Sequence, residues 1–226
     1  ATALDTSLND ANTAISGAET RLDTAESALD DLNDHQTQAD AFLAFVSVDG
    51  AGDVVFTGTN IHIESGSDST HMANGKGNLI LGYNASDTFL EDRSGSHNIV
   101  VGDHHAYSST GGIATGEAHA LTSTNAVAIG GTNNQVSGNG GTAIGGTSNQ
   151  ITQTGAAIIG GQFSMATGGW SAILGGAHHT ASAINSTIVG GHSNSVTGEQ
   201  GVVIGGYSNA VSASHATTLG GTDNTA

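Results

Sequence analysis

The sequence predicts a mainly β protein: a β-solenoid with coils of 14 to 15 residues, preceded by a coiled-coil helix. Three observations predict it. Gly-Gly pairs begin at residues 130, 145, 160, 175, 190, 205 and 220, an interval of 15 each time. The first 46 residues carry apolar side chains in a strict seven-residue pattern. Glycine makes up 35 of 226 residues, proline is absent and only 4% are aromatic, which is too few large side chains for a conventional globular core.

The repeat comes first. A 15-residue unit is too short for a pair of helices, which needs about 30 residues or more. It suits one solenoid coil: strand, Gly-Gly corner, strand, turn. Coils stacked at the strand spacing of about 4.8 Å give seven of them a length on the order of 34 Å. Before each Gly-Gly stands a large aliphatic, Ile129, Ile144, Ile159, Leu174, Val189, Ile204 and Leu219. Seven residues later comes a second apolar column, with Val136, Ile151, Val196 and Val211 as its larger members. Both columns are expected to form the core of the roll. Five residues after the first aliphatic lies a polar column, Asn134, Asn149, Ser164, His179, Asn194, Asn209 and Asn224. It is expected to be a ladder of stacked side chains that satisfies turn backbone groups from coil to coil. Looser copies of the repeat end at Gly82, Gly102 and Gly116.

Alternation along a strand sends neighbouring residues to opposite faces. With the first aliphatic column inside, its neighbours Ala128, Ala143, Ile158, Ile173, Ile188 and Val203 are expected to point outward. An apolar column on the outside of a rod requires a cover. The simplest cover is another copy of the same chain, so this column is the expected interface between subunits.

The N-terminal segment supplies a second expected interface. With Ala1 at heptad position a, that position continues Leu8, Ile15, Leu22, Leu29, Gln36 and Leu43. Position d reads Leu4, Ala11, Ala18, Ala25, Leu32, Ala39 and Val46. A seam of strict sevens this long is that of a coiled coil, with Gln36 as a register-setting polar layer. Alanine at d makes the seam thin, and its composition does not choose between two and three strands. The chain thus divides into a coiled-coil stalk (1–46), a β transition segment with irregular early coils (47–124) and the regular roll (125–226). The transition segment opens on VSVDGAGDVVFTGTNIHI, alternating strands joined by a glycine turn, and holds bulky residues such as Phe56, Tyr83, Phe89 and Tyr107.

The repeats NAVAIGGTNNQVSG, GTAIGGTSNQITQ and VVIGGYSNAVS resemble the head repeats of trimeric autotransporter adhesins of the YadA type. The stretches GTNIHIESGSDST, GKGNLILGYN and SGSHNIVVGDHHAYSSTGG resemble a segment that precedes such repeats in secreted bacterial proteins and in phage tail-fibre proteins. The resemblance covers about residues 47 to 226 and implies a left-handed parallel roll, a homotrimer and a coiled-coil stalk. It also implies an extracellular, non-enzymatic fibre on a cell surface or virion, with a host-surface glycan or protein as partner. Here the stalk precedes the roll, the reverse of the adhesin order. That order suits a tail fibre, or a segment of a longer adhesin.

Charge and motifs narrow the chemistry. Three basic residues against 20 acidic ones, a formal charge of -17, leave no basic footprint for nucleic acid or an anionic membrane surface. No apolar run reaches 18 residues, so no membrane insertion by a helix is expected. Residues 1 to 20 lack the pattern of a signal peptide. Histidines cluster as His104–His105 and as His178–His179 with His192, 14 residues after His178 in a period of 15. No coil repeats this grouping and no carboxylate accompanies it at fixed spacing, so no metal or other cofactor is assigned. The regular array holds Asp223 and Glu199 as its acids, which excludes a stacked calcium-binding aspartate column. Asp53, Asp68, Asp87, Asp92 and Asp103 read as solvated loop acids. No catalytic residue is assigned, for there is neither a nucleophile elbow nor a carboxylate cluster. The expected ligand contacts are the odd large residues on the array, Phe163, Trp170, His178 and Tyr207.

Overall fold

A computed structural model describes residues 2–85 and 92–226, so Asp87 and Phe89 lie outside the described residues. It divides into two compact units, Ala1–His62 and Ile63–Ala226.

The first unit contains one long helix, α1 (Thr2–Leu43). Its alanine, leucine and acidic residues are helix-compatible, and its hydroxyl residues stay helical by bonding back one turn, as Thr6 Oγ1 does to the Thr2 carbonyl at 2.9 Å. At 1.5 Å per residue it is about 63 Å long. It has no buried residue, so the whole heptad seam, Leu4, Leu8, Ile15, Leu22, Leu29, Leu32 and Leu43, stands exposed. After the helix, strands β1 (Val46–Val48) and β2 (Val54–Phe56) form an antiparallel hairpin. The Asp49 carboxylate accepts the Ala51 and Asp53 amides at 2.8 and 2.9 Å, which closes the turn. Val46 therefore is not the last helical d position. It pairs across the hairpin with Phe56, because the β-branched Val-Ser-Val run and the Asp49 turn outweigh continuation of the heptad.

The second unit is a β-solenoid. Ten parallel strands form a long file from Leu79–Leu81 through Ile99–Asp103, Ile113–Glu117 and Val127–Thr132 up to Thr217–Thr218. Eight two-residue strands form a short file from Ala106–Tyr107 to Ala210–Val211. Single bridges at Thr132, Thr147, Gln162, Ala177, His192, Tyr207 and Thr222 make a third, narrow file at the corner between them. Register is strict: Thr142, Ala143 and Ile144 lie beside Ala157, Ile158 and Ile159 of the next coil. Residue 125 is where the period becomes regular; the sheet itself starts at Leu79.

The two faces of the long file are the reverse of the expected ones. Ala128, Ala143, Ile158, Ile173, Ile188 and Val203 are at most 1% exposed and form the core with Val136, Ile151, Val196 and Val211. Ile129, Ile144, Ile159, Leu174, Val189, Ile204 and Leu219 point outward, 37% to 79% exposed. Alternation holds, but its phase is inverted. The reason is the width of the coil. Two strands of two or three residues enclose a narrow interior, and in most coils the two core columns compensate each other: Ala143 stands with Ile151, Ile158 with Ala166 and Ile173 with Ala181, while Ile188 with Val196 and Val203 with Val211 fill the last layers. The column that is large in every coil lies outside this interior.

The corner glycines have two different reasons. Gly145 has φ +65° with open space where a Cβ would project, so it needs only the left-handed backbone. Gly146, at φ +75°, would drive a Cβ into the Gly161 carbonyl of the next coil and to 2.6 Å from Asn149 Nδ2. Gly145→Ala should cost about 1 kcal/mol, the left-handed penalty alone. Gly146→Ala should cost that plus overpacking, about 3 kcal/mol in all. Denaturant unfolding of the two variants checks this, and equal costs would refute the packing argument.

Candidate functional site

The polar column builds an internal ladder. In each coil a left-handed residue, such as Asn133, Ser148 or Ser208, turns the chain so that the next side chain points inward. That inward side chain accepts a hydrogen bond from the backbone N–H of its counterpart one coil on. Asn149 N donates to Asn134 Oδ1 (3.1 Å), Ser164 N to Asn149 Oδ1 (3.0 Å), His179 N to Ser164 Oγ (3.2 Å) and Asn194 N to His179 Nδ1 (3.1 Å). Asn209 and Asn224 continue the series. The asparagine amides close the other side by donating to corner glycine carbonyls, as Asn134 Nδ2 does to Gly145 O at 3.1 Å.

The ladder starts earlier than the regular repeat. His105 N donates to Asn84 Oδ1 (2.8 Å), His119 N to His105 Nδ1 (3.2 Å) and Asn134 N to His119 Nδ1 (3.1 Å). His119 stands 15 residues before Asn134 and His105 14 before His119, so the column could have been carried back to both; the alignment on the Gly-Gly pairs, which begin at residue 130, stopped short of them. The two rings stack with centroids 5.3 Å apart.

These rungs fix a tautomer. Nδ1 of His105, His119 and His179 must carry a lone pair to accept the next amide. Nε2 of His105 and His119 then donates to the Val101 and Thr115 carbonyls at 3.2 and 3.1 Å. Nε2 of His179 is buried without a partner. Burial lowers all three imidazoles from their ordinary value, His119 to about 4, with the neighbouring His105 adding to its shift. For His119, between about pH 6.5 and 4, the unfolded chain binds a proton that the folded rung refuses, so its contribution is intact above about pH 6.5 and is lost as pH falls through that window, at up to about 1.4 kcal/mol per pH unit. His105 and His179 are shifted in the same direction and lose their contribution as pH falls below the ordinary imidazole value. His179→Asn, which places the residue of Asn194 in this column, should reduce the drop in melting temperature between pH 7 and pH 4.5. Parallel melting curves that fall equally for variant and native protein would rule out the rung as a source of acid lability.

The outer surface carries a second arrangement. Phe163, His178, His192 and Tyr207 lie on consecutive coils at the Gly-Gly corner. Phe163 and His178 stack with centroids 5.4 Å apart and planes 13° apart, and His192 and Tyr207 at 5.2 Å and 5°. Between these pairs, His178 and His192 stand 5.1 Å apart and tilted by 57°. His192 joins the strip because it follows the Gly-Gly directly, one position before the column of His178. Trp170 is not part of it. It sits in the turn between the short strand and the next long strand, 65% exposed, with its indole against Gly155 of the preceding coil.

The remaining sequence-selected residues are dispersed. Asp53 lies in the hairpin turn, while Asp68 lines a cavity of about 270 Å³ with Glu64, Ser69, Thr70 and His97. The Asp92 carboxylate accepts Ser94 Oγ and N, which hold it below the usual carboxylate range. Asp103 faces His104 at 3.9 Å. Among the described residues, no three His, Asp or Glu side chains gather as a metal centre. No described helix is long and apolar enough to cross a membrane. No protein-family model matches the chain, and no curated protein sequence matches it.

Proposed function

We propose that the chain is a subunit of a homotrimeric, non-enzymatic fibre that projects from a cell or virus particle and attaches it to a surface. The observation that carries this reading is a largely apolar outer face. The outward residues of the long file come in two columns, Val127, Thr142, Ala157, Ala172, Thr187 and Val202 beside Ile129, Ile144, Ile159, Leu174, Val189 and Ile204. They lie outside a core that is already complete. Ten strands at about 4.8 Å spacing make this face about 43 Å long. A strip of that size on a soluble rod calls for a partner, and strict repetition along the axis favours a partner with the same repeat. The exposed heptad seam of α1 supports the same reading, as a coiled-coil stalk. Three chains, a left-handed roll and an extracellular setting follow from the resemblance to YadA-type heads. The formal charge of -17 is compatible with a mechanical and adhesive role.

A second reading is a receptor-binding or ligand-binding module, as on a tail fibre. The strip of Phe163, His178, His192 and Tyr207 favours it, since it interrupts an otherwise small and polar corner.

Light scattering tests the assembly. The native chain should have the mass of three chains at low and high concentration. Ile144→Asp, Ile159→Asp and Leu174→Asp together should make that mass concentration-dependent while the circular dichroism of the solenoid is kept, because only the thin helical seam then holds the subunits. A native protein with the mass of one chain at every concentration would overturn the proposal.

A further inference from the structure

We propose that His178 and His192 form a two-imidazole clamp for a divalent d-block cation such as Zn²⁺ or Cu²⁺, on the outer corner of the roll. Their spacing is the first reason. An ion bonded at about 2.0–2.1 Å to one nitrogen of each ring, in tetrahedral geometry, sets the ring centroids about 5 Å apart. The observed separation is 5.1 Å. Their tilt is the second. The flanking pairs, His178 with Phe163 and His192 with Tyr207, are within 13° of parallel, an arrangement in which two stacked faces present no in-plane atoms to a shared ion. The central pair is turned by 57°, which lets two nitrogens converge.

The surroundings prepare the clamp. Ser193 Oγ lies 2.8 Å from His192 Nδ1; with Nδ1–H donating to that hydroxyl, the Nε2 lone pair is left for an ion. Phe163 and Tyr207 pack on the outer sides of the two rings and limit their rotation. His178 is exposed and His192 half-buried, so the site is open to solvent. His178 also occupies a left-handed position, φ +58°, where other coils place Asn133, Ser148, Ser193 and Ser208. Two neutral nitrogen donors without a carboxylate select Zn²⁺ or Cu²⁺ over Mg²⁺ or Ca²⁺. Water fills the remaining positions. The adjacent pair His104–His105 makes no such clamp, because His105 is an internal rung while His104 turns toward Asp103.

The test is calorimetric titration of the full chain, free of any affinity tag, with Zn²⁺ and separately with Cu²⁺ at pH 7.5. Native protein should show one saturable site per chain and no comparable heat with Mg²⁺. His178→Asn and His192→Thr restore residues found at the same positions in other coils, as at Asn133 and Thr147, and should leave the melting temperature intact. Each should weaken the site at least about tenfold, and His104→Asn should leave it unchanged. Undiminished binding in the His178→Asn/His192→Thr double variant, or no saturable binding in native protein, would overturn the proposal. The clamp lies within one chain, so a monomeric mass would refute the fibre reading and leave this test standing.

Discussion

The solenoid depends on one contact repeated along its axis: an inward side chain accepting the backbone N–H of the next coil. From Asn84 to Asn224 these bonds link consecutive layers at a point where the chain turns and no strand pairing is available. A coil of 15 residues has a core of only two or three buried apolar side chains, so burial alone specifies its shape weakly. The ladder supplies the missing definition, because an acceptor must sit at one height and one angle in every layer. It tolerates Asn, Ser and His, which share an acceptor at suitable reach, and it excludes an aliphatic side chain, which would orphan a buried amide.

The narrow interior explains the rest of the coil. The core columns trade volume within each layer, and the second corner glycine lies too close to the next coil for any side chain. Large aliphatics are consequently displaced to the outside. The apolar outer face is thus a direct result of a thin core: the layers hold Ala143 with Ile151 and Ile158 with Ala166, and Ile144 and Ile159 stand outside them. In this fold, the exposed apolar face and the internal packing are two parts of the same division of side chains.

The histidines illustrate how position divides one residue type into distinct chemistries. Burial favours the neutral form of His105, His119 and His179, and each ring accepts the amide of the next rung at Nδ1. His178, one residue before a rung, is turned outward by its left-handed backbone and meets His192 of the next coil. Adjacent residues in the sequence thereby belong to separate environments, one internal and structural, the other exposed and open to an ion.

The sequence by itself determined the period, the solenoid, the hairpin after the helix and the polar ladder, because each rests on local chemistry repeated at fixed spacing. The Gly-Gly pairs, the Asn column and the glycine turn after Val48 all report directly on backbone conformation. It also determined that Ile158 and Ile159 face opposite ways. Only the tertiary structure decided which of them faces in, since alternation fixes opposition but not phase, and the phase depends on the volume enclosed by two strands together. The clue was present in the reciprocal sizes of Ala143 with Ile151 and Ile158 with Ala166. It becomes decisive once those residues are known to share a layer. The same holds for the ring strip: His192 is one position out of column with His178, and coil-to-coil stacking, rather than sequence spacing, closes that offset.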